Sequence, residues 1–301
     1  MNLIFAFYLF TVLLAGTANA RTAAEEKIFN APMPHEIIAN KGAPVKTHLV
    51  RLEGYLEGQP DNQTRLLQLK QDVQKCVAYH RESGVPIKPV EAWPDFLLSL
   101  RQDTYSSVNR SIRYSNGIAY GFINIDDCSL LEQPSSRAEL VSSKGRCTMD
   151  LILKTARGVC DAHAHADAIV PPRRLSETER SASLQKAAAD PKTAEMAASI
   201  QHILASIGGP TGERKTILGL ECDVGYQTAT GGGTVCFARG GSFVTARTAG
   251  NPGEPGMLLE MESKYGYKMK AVTAKLDTEV NSSVFAPYLN GDFTIENGPR
   301  K

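Results

Sequence analysis

The chain has 301 residues, and its 33 basic and 32 acidic side chains leave it close to neutral. This balance argues against nucleic acid or an anionic membrane surface as the partner, since both select strongly basic proteins. The length permits one large domain or two modest ones.

Residues 1–20 are predicted to be a secretory signal peptide. They carry no charged side chain, contain the apolar run Leu3–Leu14, and end in an Ala-Asn-Ala sequence that suits cleavage after Ala20. Cleavage there would make the mature protein periplasmic or secreted. No later stretch reaches the roughly 18 apolar residues that a transmembrane helix needs, so no membrane span is predicted.

All six cysteines follow the predicted signal peptide, and an even number in an oxidising compartment predicts three disulfides. Cys222 and Cys236 lie symmetrically about Ala229, which begins a turn-forming run, so they are expected to bridge two antiparallel strands. The alternative is two unpaired buried thiols. For the other four cysteines, the favoured pairing is Cys128–Cys147, which leaves Cys76–Cys160 by elimination.

The segment that follows the signal peptide contains few periodic apolar positions and several prolines. We therefore expect residues 21–60 to form an extended N-terminal arm with one strand near Thr47–Tyr55. From Pro60 to Ser83, apolar residues recur at helical spacing, which predicts a helix with Cys76 on its apolar face. Trp93 is expected to open a second, shorter helix that ends near Arg101. Residues 61–301 are predicted to form a single α+β domain.

Two hairpins are predicted in the middle of the chain. Asn116-Gly117 separates two β-rich runs, and this dipeptide is a strong hairpin signal. Lys144-Gly145 marks a second turn, before the alternating segment Cys147–Thr155. Further along, the capping sequence at Ser176 predicts a helix to Ala189, and a second helix is expected to run on to Ile207.

The segment after Cys160 is the most suggestive chemically. If it is a strand, alternation places four possible ligands on one face, namely Asp161, His163, His165 and Asp167. His163 and His165 could then bind one Zn or Cu ion, with a third ligand from His35, His80 or His202. Two structural alternatives remain open: an exposed polar strand face, or an Ala-rich helix that would scatter these side chains.

Residues 216–287 alternate β-rich runs with Gly, Pro and Asn clusters, as expected of an antiparallel meander. The predicted strands lie near Thr216–Thr228, Thr234–Arg239, Ser242–Thr248, Met257–Ser263 and Tyr267–Leu276.

Three motifs in this meander carry a family resemblance: Ile217–Cys222, Leu259-Glu260-Met261 and Val280–Pro287. With them, the C-terminal quarter resembles uncharacterised bacterial periplasmic proteins that are related in shape to the LolA and LolB lipoprotein carriers. The resemblance implies an α+β fold in which a curved antiparallel sheet, a LolA-like half-barrel, packs on a few helices around an apolar cavity. The cysteines predict that disulfides stabilise this fold.

The leading functional hypothesis is a non-enzymatic periplasmic binding protein. It would hold an apolar small molecule or lipid between the sheet and helices at Thr193–Ile207. The candidate wall residues are Phe237, Phe243, Leu258, Met261, Met269 and Val272.

Two other hypotheses remain open. One is a metal-binding protein or metal-dependent enzyme that uses the His163 and His165 pair. The other is a structural envelope component whose partner is another protein, bound through an exposed sheet edge. No cofactor is predicted apart from that Zn or Cu ion, and no motif gives a positive sign of catalysis.

Overall fold

The helices and strands of this protein lie in several separate stretches of the chain. A computed structural model describes residues 21–38, 42–56, 60–88, 90, 92–142, 145–160, 177–191, 193–195, 210–226, 232–242, 257–289 and 292–296. The helices within these residues are α1 (Ala23–Phe29), α2 (Pro34–Ile37), α3 (Pro60–Ser83) and α4 (Glu177–Ala189), with 3₁₀ turns at Ser282–Phe285 and Pro287–Leu289.

The strands form one large sheet. In chain order they are β1 (Pro44–Leu56), β2 (Leu98–Ser106), β3 (Arg110–Ile123), β4 (Leu130–Ser142), β5 (Gly145–Asp150), β6 (Thr155–Gly158), β7 (Pro210–Ile217), β8 (Leu220–Tyr226), β9 (Gly233–Ala238), β10 (Leu258–Ser263), β11 (Tyr267–Asn281) and β12 (Thr294–Glu296). Across the described residues the order in the sheet is β12-β6-β5-β4-β3-β2-β1-β11-β10-β9-β8-β7. Neighbouring strands are antiparallel, except that β12 runs parallel to β6.

Two apolar clusters cover opposite faces of this sheet. Leu49 of β1 belongs to one cluster and the next residue, Val50, belongs to the other. Since successive side chains of a strand point to opposite faces, the sheet buries one face in its β1–β6 half and the other face in its β8–β11 half. In the first half, Met33 and Phe285 pack over the sheet from outside it. The described helices include none long and apolar enough to cross a membrane.

The predicted extended arm is wrong, although its strand is confirmed. Residues 21–38 contain α1 and α2, and β1 lies inside the sheet, between β2 and β11. Thr22 starts α1 with a capping box, in which its hydroxyl accepts from the Glu25 amide and the Glu25 carboxylate accepts from the Thr22 amide. The prolines of this segment favour an extended chain, but the capping box at Thr22 starts a helix before the first of them.

The Asn116-Gly117 hairpin is also wrong, because β3 runs straight through both residues. A Cβ on Gly117 would lie 3.1 Å from Ser135 Oγ and 3.2 Å from Leu100 Cδ1, so the glycine allows close packing within the sheet. The turn falls instead before β3, where the Ser107 amide donates to the Arg110 carbonyl.

The short helix expected after Trp93 is replaced by β2. Leu97 packs with the cluster around Tyr120, whereas Leu100 packs against the cluster on the opposite face of the sheet. A helix would have placed both leucines on one side. Packing on both faces of the sheet therefore makes this segment a strand. The helix predicted from Pro60 to Ser83 and the helix ending at Ala189 are both present.

The C-terminal meander contains one more turn than expected. The predicted strand Thr216–Thr228 covers the end of β7 and all of β8, with a turn between them at Leu218 and Gly219, whose φ angles are positive at 52° and 78°. The other strands agree with β9, β10 and β11. Most of Ser242–Thr248 and of Thr193–Ile207 lies outside the described residues.

Three disulfides stabilise the described part of the fold: Cys76–Cys128, Cys147–Cys160 and Cys222–Cys236. The last pairing was predicted. It is diagonal rather than directly opposite, because Cys222 faces Ala238 and Cys236 faces Val224. Three disulfides fit an extracellular protein, since such bonds persist in oxidising compartments.

The predicted pairings Cys128–Cys147 and Cys76–Cys160 are wrong. Helix α3 packs against β3, and Cys76 on that helix bonds to Cys128 in the connection between β3 and β4. Cys147 of β5 lies opposite Gly158 of β6, so the chain places Cys160 beside it only two residues later. The partners of Cys76 and Cys147 depend on how helices and strands pack together, and the spacing of cysteines in the sequence does not predict that packing.

Candidate functional site

A segment that we call the N-terminal strap, residues 21–38, crosses one face of β2 and β3. Its first anchors are polar and buried. The Ser99 hydroxyl of β2 donates to Glu25 Oε1 at 2.6 Å, and the hydroxyls of Thr22 and Tyr120 lie 2.6 Å apart. Burial raises the pKa of Tyr120 to about 12, so this hydroxyl stays protonated at neutral pH. Helix α1 is therefore fixed to two adjacent strands.

Arg101 holds the rest of the strap. It lies on β2 and is only 1% exposed. Its guanidinium donates to the backbone carbonyls of Ile28, Ala31 and Pro32 at 2.6–2.9 Å. The last carbonyls of a helix lack partners within the helix, and a cation at this end also suits the helix dipole. Arg101 therefore both caps α1 and fixes the turn that follows it.

Asp103 supplies the counter-charge to Arg101. Its carboxylate is fully buried and accepts from Arg101 Nη2 at 2.5 Å and Arg101 Nε at 3.0 Å. Arg51 of β1 donates to the other carboxylate oxygen at 2.8 Å. Glu25, on the strap itself, is a second buried acidic group, so two arginines and two acidic side chains balance in charge where the strap meets the sheet.

His35 and Tyr105 complete the contact between strap and sheet. The Tyr105 hydroxyl lies 2.8 Å from His35 Nδ1 and also accepts from the His35 amide. Burial raises the pKa of Tyr105 and lowers the pKa of His35 below its ordinary value. A protonated tyrosine hydroxyl beside a neutral imidazole is therefore the stable state, with the hydroxyl donating to Nδ1.

An apolar cleft opens beside the strap, with a volume of about 760 Å³. Its floor is formed by β3 and β4. One wall is the strap. The facing wall is formed by the loop after β5 together with Pro287 and Phe293. The main apolar side chains that line it are Ile28, Ile38, Ile118, Leu151, Ile152 and Phe293. Ile37 and Ile152 are more than half exposed, at 65% and 53%.

The polar groups of this cleft are few. Lys27 lies on the strap, Lys154 on the facing wall, and Glu132 on β4. Lys154 Nζ lies 5.2 Å from the centre of the Phe293 ring, which is a cation–π contact. On the floor, Ser136 Oγ donates to Asn116 Oδ1 at 2.6 Å, so the amide NH₂ of Asn116 remains as a donor.

The structure places the predicted pocket residues away from this cleft. Among those it describes, Phe237 and Met269 are buried, Leu258 and Met261 are partly buried, and Val272 is 46% exposed. None of these five lines the cleft. Phe243 lies outside the described residues. The predicted pocket lies between the meander and the helices at Thr193–Ile207, most of which are outside the described residues, whereas the cleft described above belongs to the other half of the sheet.

The predicted metal ligands His163 and His165 lie outside the described residues, as does His202. Of the proposed third ligands, His35 is bonded to Tyr105, and His80 Nε2 lies 2.6 Å from the Ile125 carbonyl. His80 also forms a compact group with Cys76 and Cys128, whose possible ligand atoms lie within 4.8 Å of one another. Both cysteines are disulfide-bonded, and a disulfide lacks the thiolates that bind metal, so this group does not fit a metal ion.

Sequence reasoning does not find Arg101 and Asp103, because the pattern after Trp93 predicts a helix that ends near Arg101. The missed signal is the strict alternation of Leu98–Ser106, in which every second side chain is buried. The buried positions are Ser99, Arg101, Asp103 and Tyr105. A strand with a polar buried face needs partners for every one of these groups, and that need points to a covering segment.

Comparison with known proteins gives no identity. No family model matches this chain, and no curated protein matches it. The solved structure of PNGF-II aligns with a TM-score of 0.31 and 9% identity, over 85% of this chain and 31% of that one. This chain therefore spans about a third of the PNGF-II chain, and a likeness this weak supports neither a fold nor a function.

Proposed function

We propose that this protein is an exported, non-enzymatic binding protein that holds an apolar small molecule or lipid in the cleft beside the N-terminal strap. The observation that carries the proposal is the cleft itself. Its volume of about 760 Å³ falls within the about 300–1,000 Å³ typical of small-molecule sites. Its lining is mostly aliphatic and aromatic, with a few polar groups that could orient the bound molecule.

Rigid walls support the same proposal. Arg101 fixes three carbonyls of the strap, and Glu25 fixes α1 to β2. A wall held by buried charged groups does not collapse into the cleft when the cleft is empty. Preorganised sites bind more tightly because less conformational entropy is lost on binding.

The cellular setting is part of the proposal. Export through a signal peptide at residues 1–20, and residence in the periplasm, are supported by the three disulfides. The resemblance to LolA and LolB carriers is supported to the extent that a large antiparallel sheet bears an apolar cleft. The curvature and the half-barrel that this resemblance implies belong to the proposal as well.

The first test is a pair of mass spectra of the protein purified after export, one native and one denaturing. A bound apolar molecule adds several hundred daltons to the native mass and leaves on denaturation. The denatured spectrum also shows whether the chain begins at Arg21. A native mass equal to the polypeptide alone, in protein that also fails the binding test below, would contradict the proposal.

The second test measures binding of a neutral fluorescent naphthylamine probe. Ile152→Asp places a charge in the cleft, whereas Val272→Asp makes the same change at a similarly exposed position outside it. We expect Ile152→Asp to weaken binding by about tenfold or more, because the probe loses contact with the exposed half of an aliphatic side chain and also covers a carboxylate that must give up water. Val272→Asp should change it less than about twofold. If the two variants weaken binding equally, the probe does not bind in the cleft, and the test contradicts the proposal.

A further inference from the structure

Charge distinguishes the two walls of the cleft from its floor. Lys27 extends from the strap and Lys154 from the facing wall, while Glu132 is the acidic residue among the lining side chains. Arg101 also lines the cleft, but Asp103 already neutralises it at 2.5 Å. The lining therefore carries one positive charge in excess, and its two lysines lie on opposite sides.

The hydrogen-bonding groups favour the same kind of partner. Both lysines are exposed and carry only donors. Asn116 offers its NH₂ group, because its carbonyl oxygen accepts from Ser136. Lys154 is held over the Phe293 ring, so its ammonium group stays next to an apolar surface. Such an arrangement suits a molecule whose apolar part ends in a negatively charged group that accepts hydrogen bonds.

We propose that the cleft selects an amphiphile with a single anionic group, such as a fatty carboxylate, whose charge lies between Lys27 and Lys154 while its hydrocarbon chain contacts Ile118 and Leu151. This inference rests on the proposed function, because it names the class of molecule for the same cleft. An aliphatic chain fits the apolar floor, and a carboxylate accepts hydrogen bonds from ammonium and amide groups.

The test compares three molecules with the same chain and different heads: decanoate, decanol and decylammonium. Each displaces the neutral naphthylamine probe from the full protein at low ionic strength, below its aggregation concentration. We expect decanoate to bind best and decylammonium worst. Two exposed ion pairs of ordinary strength correspond to a preference for decanoate over decanol of about twofold to thirtyfold. The preference should shrink as salt is added.

Variants assign this preference to the two lysines. Lys27→Met with Lys154→Met should remove the preference for decanoate over decanol, measured as the ratio of the two affinities in the same variant, because Glu132 is then the charged lining residue that remains unpaired in the cleft's charge balance. Lys186→Met, on α4 and outside the cleft, is the matched control and should preserve the preference. Near-ultraviolet circular dichroism and decanol binding show that each variant is folded.

The possible outcomes distinguish a failure of the anion selection from a failure of the proposed binding function. If decanoate binds no better than decanol, or if decylammonium binds best, the selection of an anion is overturned, while binding of apolar molecules in the cleft remains supported. A preference for decanoate that survives the double lysine variant also overturns it. If none of the three molecules displaces the probe, the proposed function fails together with this inference.

Discussion

Replacing Arg101 by methionine tests how the strap is held. The substitution keeps an unbranched apolar side chain and removes every donor. The carbonyls of Ile28, Ala31 and Pro32 lose their charged partner, and Asp103 keeps only Arg51. Because Asp103 has no exposed surface, water cannot replace the lost contacts without opening the strap.

The expected cost follows from these contacts. Removing one partner of a buried ion pair destabilises a protein by about 3–5 kcal/mol, and hydrogen bonds to charged groups contribute about 1.5–3 kcal/mol each. These terms overlap, so we expect a loss of at least about 4 kcal/mol in the free energy of unfolding. A typical total of about 5–15 kcal/mol makes this a large fraction of the stability.

Urea unfolding with the disulfides intact measures the loss, and hydrogen exchange locates it. Protection of the amides in residues 22–38 should fall first and furthest. Arg113→Met on the neighbouring strand is the matched control. Arg113 is half exposed and pairs with Glu139 at 2.7 Å, so its loss should cost only about 0–1 kcal/mol. A cost below about 1 kcal/mol for Arg101→Met, with the strap still protected, would refute this account of the anchor.

Three further predictions concern other parts of the fold. Burial lowers the pKa of His35 below its ordinary 6.5, so its stabilising contribution is complete above that pH and is lost as the pH falls toward the lowered value. The protection factors of the strap amides, which are exchange rates corrected for the intrinsic rate at each pH, should therefore fall on acidification. Gly241→Ala should cost about 2 kcal/mol or more in thermal unfolding, because φ is +89° and a Cβ would lie 2.4 Å from His48 Cε1. Replacing Cys147 and Cys160 together by serine should lower the free energy of unfolding by about 3 kcal/mol, since their bridge closes a loop with a sequence separation of 13.

Each of these has its own control. His35→Gln should abolish the acid-dependent loss of protection, and persistence of that loss would assign it to another group. Gly219→Ala also has a positive φ, of 78°, but a Cβ there meets nothing within 4 Å, so it should cost less than Gly241→Ala. Peptide mapping without reduction must give Cys147–Cys160, and any other partner for Cys147 contradicts the structure.

Local patterns predicted those elements whose signals are local. The helical spacing from Pro60 to Ser83 and the capping sequence near Ser176 correspond to α3 and α4. The symmetric cysteines around Ala229 predicted their disulfide even though the exact register is offset by one pair. In each case a few neighbouring residues carry the whole signal.

The misassigned elements depend on distant residues. Asn116-Gly117 is typical of a turn, but here β2 and β4 leave little room for a Cβ at Gly117, and the glycine lies inside a strand. The strap looks like a linker because its partners, Ser99 and Arg101, lie on a strand about 70 residues away, as the separations of 74 and 73 for their bonds show. The cleft depends on that strap, so its position could not be read from the wall residues proposed in the meander.

The pairing of β1 with β11 has a consequence for the order of folding. Pro44 lies opposite Asn281, so the centre of the sheet joins residues separated by most of the chain. The hairpins on either side of it, β2 to β6 and β7 to β10, have partners close in sequence and can form early. Bringing β1 and β11 together requires closing a very long loop, and proteins rich in such non-local contacts fold slowly. We therefore expect two separate hairpin arrays to form first, and the two halves of the sheet to join in the last and slowest step.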